Sequence, residues 1–194
     1  MIRSIASSTV FMAMSKSAWP EGRTGDPKRQ DWYLVVEEAV RLYKDFGGPW
    51  DILIGVTGFT NAGSSNPEIL YYKKAFEDFG LVEGKNFFLI PDGIDTTTQL
   101  RAAYEFAALR NADLTIVSTL LHIDRVRWIT WWDKINNLHH LKIVHFTPKE
   151  LGISRKEEVK NDIILKYLFP VIDILGMRQV FLKYVEKRRA SGKL

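Results

Sequence analysis

Five short apolar runs, separated by longer stretches of helical periodicity, constrain this chain more than any other feature of its sequence. The runs are Val10 to Met14, Asp51 to Val56, Phe87 to Ile90, Leu114 to Val117 and Lys142 to Phe146, all rich in Val, Ile, Leu or Phe. Strands that alternate with helices build parallel sheets, and strands covered on both faces read as continuous apolar runs. The predicted class is α/β, with a mostly parallel sheet of about five strands under helices.

The helices between these runs are marked at their ends. From Gln30 to Phe46 the apolar residues Trp32, Val35, Val36, Ala39, Val40 and Tyr43 repeat at helical spacing until Gly47-Gly48-Pro49. A second helix is expected to take Asn66 as cap, Pro67 at its first position and Glu68 in its first turn, with Gly80 as stop. A third starts near Asp95-Thr96 and presents Leu100, Ala103, Tyr104 and Ala107 on one stripe. The fourth runs from about His122 to Asn136 and carries Trp128, Trp131 and Trp132, read first as core filling and otherwise as a homodimer face. Beyond the last strand, Ser154-Arg155-Lys156-Glu157 has capping-box spacing, Pro170 should break or kink the helix that follows, and a final helix reaches about Arg189. The Pro- and Gly-punctuated stretch Ser17 to Asp31 reads as a long loop able to act as a lid.

A chain of 194 residues that is 46% hydrophobic fits one globular unit. We divide it into an α/β domain over residues 1 to 153 and a helical extension over 154 to 194 packed on the same domain. The charge divides there too: 17 Lys and Arg face 18 Asp and Glu up to residue 153, and 10 face 5 beyond it. The basic character therefore sits in the extension, at Lys183, Lys187, Arg188, Arg189 and Lys193. Without cysteine there is no disulfide, thiolate nucleophile or thiolate metal ligand. No apolar run has the length of a membrane span, and a cytoplasmic protein is expected. The Ser-rich start, with Arg3 and no acid before Glu21, has some character of a targeting peptide, but its apolar stretch is short and is assigned to the first strand.

Polar chemistry collects after the strands. The first four end in Ser15-Lys16-Ser17, Thr57-Gly58-Phe59-Thr60-Asn61, Asp92 to Gln99, and Ser118-Thr119 followed by His122 and Arg125. Ligands of an open parallel sheet bind beyond that edge, where helix N-termini attract anions. If the fourth helix opens at Leu121 or His122, then His122 and Arg125 share a face of its first turn and address one ligand. The competing assignment makes the hydroxyls caps, His122 a satisfied boundary histidine and Arg125 the partner of a surface carboxylate. Hydroxyls, amides and cations on one edge suit a phosphate, pyrophosphate or carboxylate.

In their order these motifs resemble the YdcF-, SanA- and ElyC-like family of Rossmann-like domains, over roughly residues 10 to 146. Thr57-Gly58 stands at the family's glycine turn, Asn66-Pro67-Glu68 at its helix opening and Asp95-Thr96-Thr97-Thr98-Gln99 at its Asn-Thr segment. Val117 to Arg125 matches its closing Thr-Ser, His and Arg motif. The resemblance implies a Rossmann-like three-layer fold and a ligand site at Thr57, Gly58, Glu68, Asp95, Thr96, Thr97, Ser118, Thr119 and Arg125. Ser15 and Lys16 join them where the family has glycines. Thr98 and Gln99 replace the family's carboxylate and amide, and the extension from Ser154 has no counterpart there. Family members are linked to S-adenosylmethionine and to envelope-polysaccharide or lipid-carrier metabolism without a common reaction, so the cofactor stays unassigned.

Three functions are compatible with these residues. As an enzyme of phosphoryl or pyrophosphoryl transfer or hydrolysis, the chain would use His122 as general acid/base, with Arg125 and Lys16 against phosphate charge. Glu68, Asp92, Asp95 or Asp124 would be the carboxylate partner. As a binding or sensor protein it would hold the same anionic, nucleotide-like molecule without turnover. As an interaction protein it would offer its basic tail and tryptophans to nucleic acid or a membrane surface. Ser118 lacks the G-x-S-x-G elbow, and residues 56 to 64 match neither the dinucleotide fingerprint nor the P-loop. His139, His140 and His145 lack helical metal-ligand spacing, so no metal is assigned.

Overall fold

The first strand lies at the centre of the sheet and organises the rest. In the computed structural model, β1 (Thr9–Ala13) lies between β2 (Ile52–Val56) and β4 (Asp113–Thr119). Outside these, β3 (Phe87–Ile90) pairs with β2 and β5 (Lys142–Phe146) with β4, so the order is β3-β2-β1-β4-β5. All four pairings are parallel. The structure describes residues 8–14, 26, 28, 30–60, 64, 66–133, 142–146 and 166–190, with backbone alone at 120–121, 142–146 and 188–190.

The helices α1 (Asp31–Phe46), α2 (Glu68–Asp78), α3 (Thr96–Leu109) and α4 (Leu120–Trp132) each follow the strand of the same number. The chain steps outward through β2 to β3, then returns across β1 and steps outward on the other side. Right-handed crossovers in opposite directions put their helices on opposite faces. Accordingly Phe11, Ala13, Leu53 and Val117 pack against α1 and α2, while Val10, Met12, Ile54 and Ile116 pack against α3 and α4. The result is a Rossmann-like three-layer α/β fold. Two further helices follow: α5, helical over residues 166–174, and α6 (Arg178–Ala190). Phe169 of α5 joins the core on the α3/α4 face.

Several boundaries differ from the sequence reading for identifiable reasons. The last β-strand residues before α4 are Ser118 and Thr119, and the helix opens at Leu120 with Thr119 as its cap residue, earlier than the expected Leu121 or His122. Asn66 does not cap α2: Pro67 holds that place at φ −58° and ψ 144°, and Glu68 is the first helical residue. Pro170 does not end α5, which continues to residue 174. The break comes at Gly176, whose φ of +69° permits a left-handed stop, with Met177 N–H bonded to Ile172 O (2.8 Å) and Gly176 N–H to Asp173 O (2.9 Å). The same paired bonds close α2 at Gly80, the stop expected there. The Ser154 to Glu157 capping box, His139 and His140 lie outside the described residues, as does most of the Ser17 to Asp31 loop.

The three tryptophans of α4 do not together fill core. Trp128 is half-buried and stacks on Trp132 at 5.6 Å, but Trp131 is 60% and Trp132 38% exposed. Trp128 Nε1 donates to Asp173 Oδ2 (2.7 Å), and Asp173 also receives Arg178 Nε (2.5 Å) and Nη2 (2.6 Å). Arg178 Nη1 meets both oxygens of Asp133 at 2.6 and 2.7 Å. One guanidinium thus clamps the end of α4 to α5 and the start of α6, and the hydrogen bond to Asp173 holds it above its ordinary pKa.

Two outcomes are expected. Arg178→Ala leaves two carboxylates facing each other in a buried setting and should lower the unfolding free energy in urea by about 3 kcal/mol. Tyr104, on the buried stripe of α3, has a hydroxyl without a hydrogen-bond partner, and burial pushes its pKa up to about 12. Between the ordinary value of 10.0 and about 12 the unfolded chain has released this proton and the folded chain has not, so stability should fall as pH rises through that window. Tyr104→Phe should remove that part of the alkaline loss and leave stability at pH 7 unchanged or slightly higher.

Candidate functional site

A parallel sheet directs the start of every following helix to the same edge, and most of the buried polar residues lie on that edge. Gln30 and Asp31 open α1, Thr57 ends β2, Glu68 opens α2 and Thr97 lies in the first turn of α3. Ser118, Thr119 and His122 span the end of β4 and the start of α4, and Arg125 follows one turn on. All are at most 8% exposed. Buried polar groups need partners, so the pattern of bonds separates those that hold the loops from those that remain available.

The described residues of the loops after β2 and β3 bond to one another. Thr57 Oγ1 donates to Glu68 Oε2 (3.1 Å) and accepts from Phe59 N–H (3.3 Å), while Glu68 N–H donates to Phe59 O (2.9 Å). These bonds fix the start of α2 to the end of β2. Gly58 N–H is taken by Gly93 O (2.9 Å). Gly93 itself must be glycine: its φ is +82°, and a Cβ would lie 2.6 Å from Gln99 N. Asp92 is exposed and accepts from Gly93 N–H (2.7 Å).

Asp95 is a cap. Its Oδ1 accepts from Thr97 N–H (2.7 Å) and Thr98 N–H (3.1 Å), and Thr98 Oγ1 accepts from Asp95 N–H (3.2 Å) in return. A carboxylate already occupies the positive end of α3. The other three helices on this edge have no side-chain bond from their cap residues Gln30, Pro67 and Thr119. Asp31 Oδ1 does accept from Trp32 N–H (2.9 Å) in the first turn of α1.

At the junction of β1 and β4 the bonds form a chain. Met14 N–H extends the pairing by donating to Val117 O (2.9 Å), and Ser118 Oγ donates to Met14 O (2.6 Å). The single hydroxyl proton of Ser118 is thereby committed, so its 3.0 Å contact with His122 Nδ1 requires the ring to donate. His122 therefore carries its proton on Nδ1, and in the neutral ring Nε2 is the acceptor, with Thr96 Oγ1 at 3.4 Å. The arrangement excludes Ser118 as a nucleophile activated by His122, because the imidazole donates to the serine. On the other side of the ring, Nε2 faces Thr96 Oγ1 across a long contact.

Arg125, one turn further along α4, is buried with its guanidinium 5.9 Å from the ring centre of Phe169 on α5. Asp124 faces the other way, to Lys166 Nζ at 2.6 Å, and is not a carboxylate partner of His122. Ser15 and Lys16 lie outside the described residues, and His145 is described only as a backbone position in β5. Among the described residues no three His, Asp or Glu side chains are grouped so as to hold a metal ion.

Two groups at this edge went unread in the sequence. Gln30 and Asp31 stand at the end of the long loop, where polar residues are usually solvated, yet both are 7% exposed. Gln30 Oε1 accepts from Trp32 Nε1 (2.9 Å), and its Nε2 has no partner. Thr97 Oγ1 is the second orphan on this edge. A helix start placed directly after the switch-point strand was the available signal for Gln30. No family model, curated protein or solved structure matches the chain.

Ser118→Ala tests the bond chain. It removes the bridge from Met14 O to His122 and leaves a buried acceptor unmet, at about 1 to 3 kcal/mol of stability. In nitrogen-15 spectra of the wild type, the proton of the neutral His122 ring should be found on Nδ1. In the variant that preference should weaken.

Proposed function

We propose that this protein binds an anionic, nucleotide-like small molecule in the crevice between the ends of β1 and β4, as a cytoplasmic protein of small-molecule metabolism. The observation that carries this reading is the pair of buried orphan groups, Gln30 Nε2 and Thr97 Oγ1, on the sheet edge where four helices begin. Native proteins seldom leave such groups unmet unless a ligand or water completes them. A phosphate or pyrophosphate is best accepted at the start of α4, because Asp95 already neutralises the start of α3 and Asp31 lies in the first turn of α1. Thr97 Oγ1 would then meet a hydroxyl or a nitrogen of the ligand. Arg125 supplies the nearest described cation on α4. The likeness of Val117 to Arg125 to the closing motif of the YdcF-like family supports the same location.

Binding without turnover is the simpler form of this function. General acid/base work would need a substrate atom to displace Thr96 from His122 Nε2, and the 3.4 Å contact makes that displacement cheap. Phosphoryl or pyrophosphoryl transfer is the reaction class that such a substrate would undergo.

A thermal-shift screen against nucleotides, sugar nucleotides, S-adenosylmethionine and prenyl pyrophosphates tests the proposal. A ligand at a hundredfold its Kd should stabilise the protein by about 2.7 kcal/mol. Thr97→Val removes a hydroxyl that nothing in the chain uses, so the free protein should be as stable as wild type or more so while the ligand shift shrinks. A panel that shifts neither protein, or shifts both equally, sinks the placement of the site at Thr97. With a ligand in hand, His122→Gln separates catalyst from binder: turnover collapses in the first case and affinity barely changes in the second.

A further inference from the structure

Helix α5 is apolar on the side it turns to solvent. Its inner face carries Phe169, Ile172 and Asp173, all buried. On the opposite face Tyr167, Val171, Ile174 and Leu175 are between 51% and 68% exposed, and no polar side chain interrupts them. The surface continues onto α6 through Val180 and Tyr184, which lie four residues apart and are 64% and 54% exposed. A helix that is apolar all round is normally covered on every side, and a contiguous exposed patch of this kind marks an interface.

The charges beside the patch identify what covers it. Lys183 and Lys187 are exposed on α6 next to Val180 and Tyr184, and Arg188 and Arg189 follow in the same helix, against the single acid Glu186. Arg178 and Lys166 do not add to this set, since Asp173 with Asp133 and Asp124 already pair them. A second copy seated face to face would bring two such cationic edges together, which opposes self-association. Nucleic acid would use the cations but leave the apolar face of α5 unmet. An anionic bilayer surface satisfies both: aliphatic side chains enter the headgroup boundary, tyrosines sit at its level, and lysines meet lipid phosphates. Among the described residues no helix is long and apolar enough to cross a membrane, so the contact is lateral.

We propose that the outer face of α5 and the adjoining basic edge of α6 dock this protein on an anionic lipid surface. The hydrogen bonds of Arg178 to Asp173 and Asp133 tie the start of α6 to α5.

The test is co-sedimentation of the full chain with vesicles of phosphatidylcholine alone and with about 30% phosphatidylserine, at low and high salt. Wild type should partition at least about tenfold more strongly to the anionic vesicles, and salt should weaken that preference. Ile174→Ser with Val171→Ser, both at exposed positions, should cut partitioning about fivefold or more with unchanged circular dichroism and thermal midpoint. Lys183→Glu with Lys187→Glu should remove the anionic preference. Absence of partitioning to anionic vesicles overturns the proposal, as does partitioning that both double variants leave intact. A dimer in light scattering that Ile174→Ser with Val171→Ser dissolves would assign the face to a second copy and overturn it equally.

Discussion

Because β1 is paired on both sides, the chain must leave it in one direction and return past it in the other, and the physical character of the molecule follows from that reversal. Helices α1 and α2 diverge from α3 and α4 across the end of β1, so no single helix covers the junction of β1 and β4. Backbone groups there cannot be satisfied by further strand pairing. The chain answers with side chains: Ser118 takes up Met14 O, and His122 donates to Ser118 in turn. Much of the polarity at this edge is thus structural. Thr57 with Glu68, and Asp95 with the first turn of α3, belong to the same class. What would distinguish a ligand site from ordinary loop chemistry is the remainder, and here it consists of Gln30 Nε2 and Thr97 Oγ1.

The parts of the fold that were legible in the sequence are those written in local chemistry. Doubly covered strands must be apolar throughout, which is why all five could be read from short runs such as Phe87 to Ile90. Gly80 announces its helix end because a left-handed residue is needed there, and Asp95 announces a start because its carboxylate bonds two amides. The limits of β4 were less legible, since Ser118 and Thr119 have the polarity of a loop yet remain in the strand to reach Met14 and His122. At Pro170 the helix is not broken, and the stop lies beyond it at Gly176.

The misreadings at larger separation come from tertiary contact. Asp133, Asp173 and Arg178 look like ordinary surface charges in sequence, and only folding brings the three within hydrogen-bond distance. The direction in which Asp124 points, toward Lys166 and away from His122, is likewise decided by where α5 lies. Trp131 and Trp132 were read as core because large aromatics usually are, but their helix turns them outward once Trp128 is engaged by Asp173. Amphipathic pattern fixes which residues of a helix go together and leaves open which stripe is covered when both are apolar, as in α5.

The site at the sheet edge and the face on α5 share a helix between them without depending on one another. α4 carries His122 and Arg125 near its start and Asp133 at its end, while α5 turns Phe169 toward Arg125 and Ile174 away from it. A membrane contact on the outer side of α5 would be made by side chains other than Phe169, which faces Arg125. A ligand at the sheet edge would meet groups on α1, α3 and the start of α4, away from that face. Loss of the apolar face should therefore leave ligand affinity intact, and loss of the Thr97 hydroxyl should leave surface binding intact. Coupling between the two would have to pass through the hydrogen bonds that Arg178 makes to Asp133 and Asp173, where α4, α5 and α6 meet.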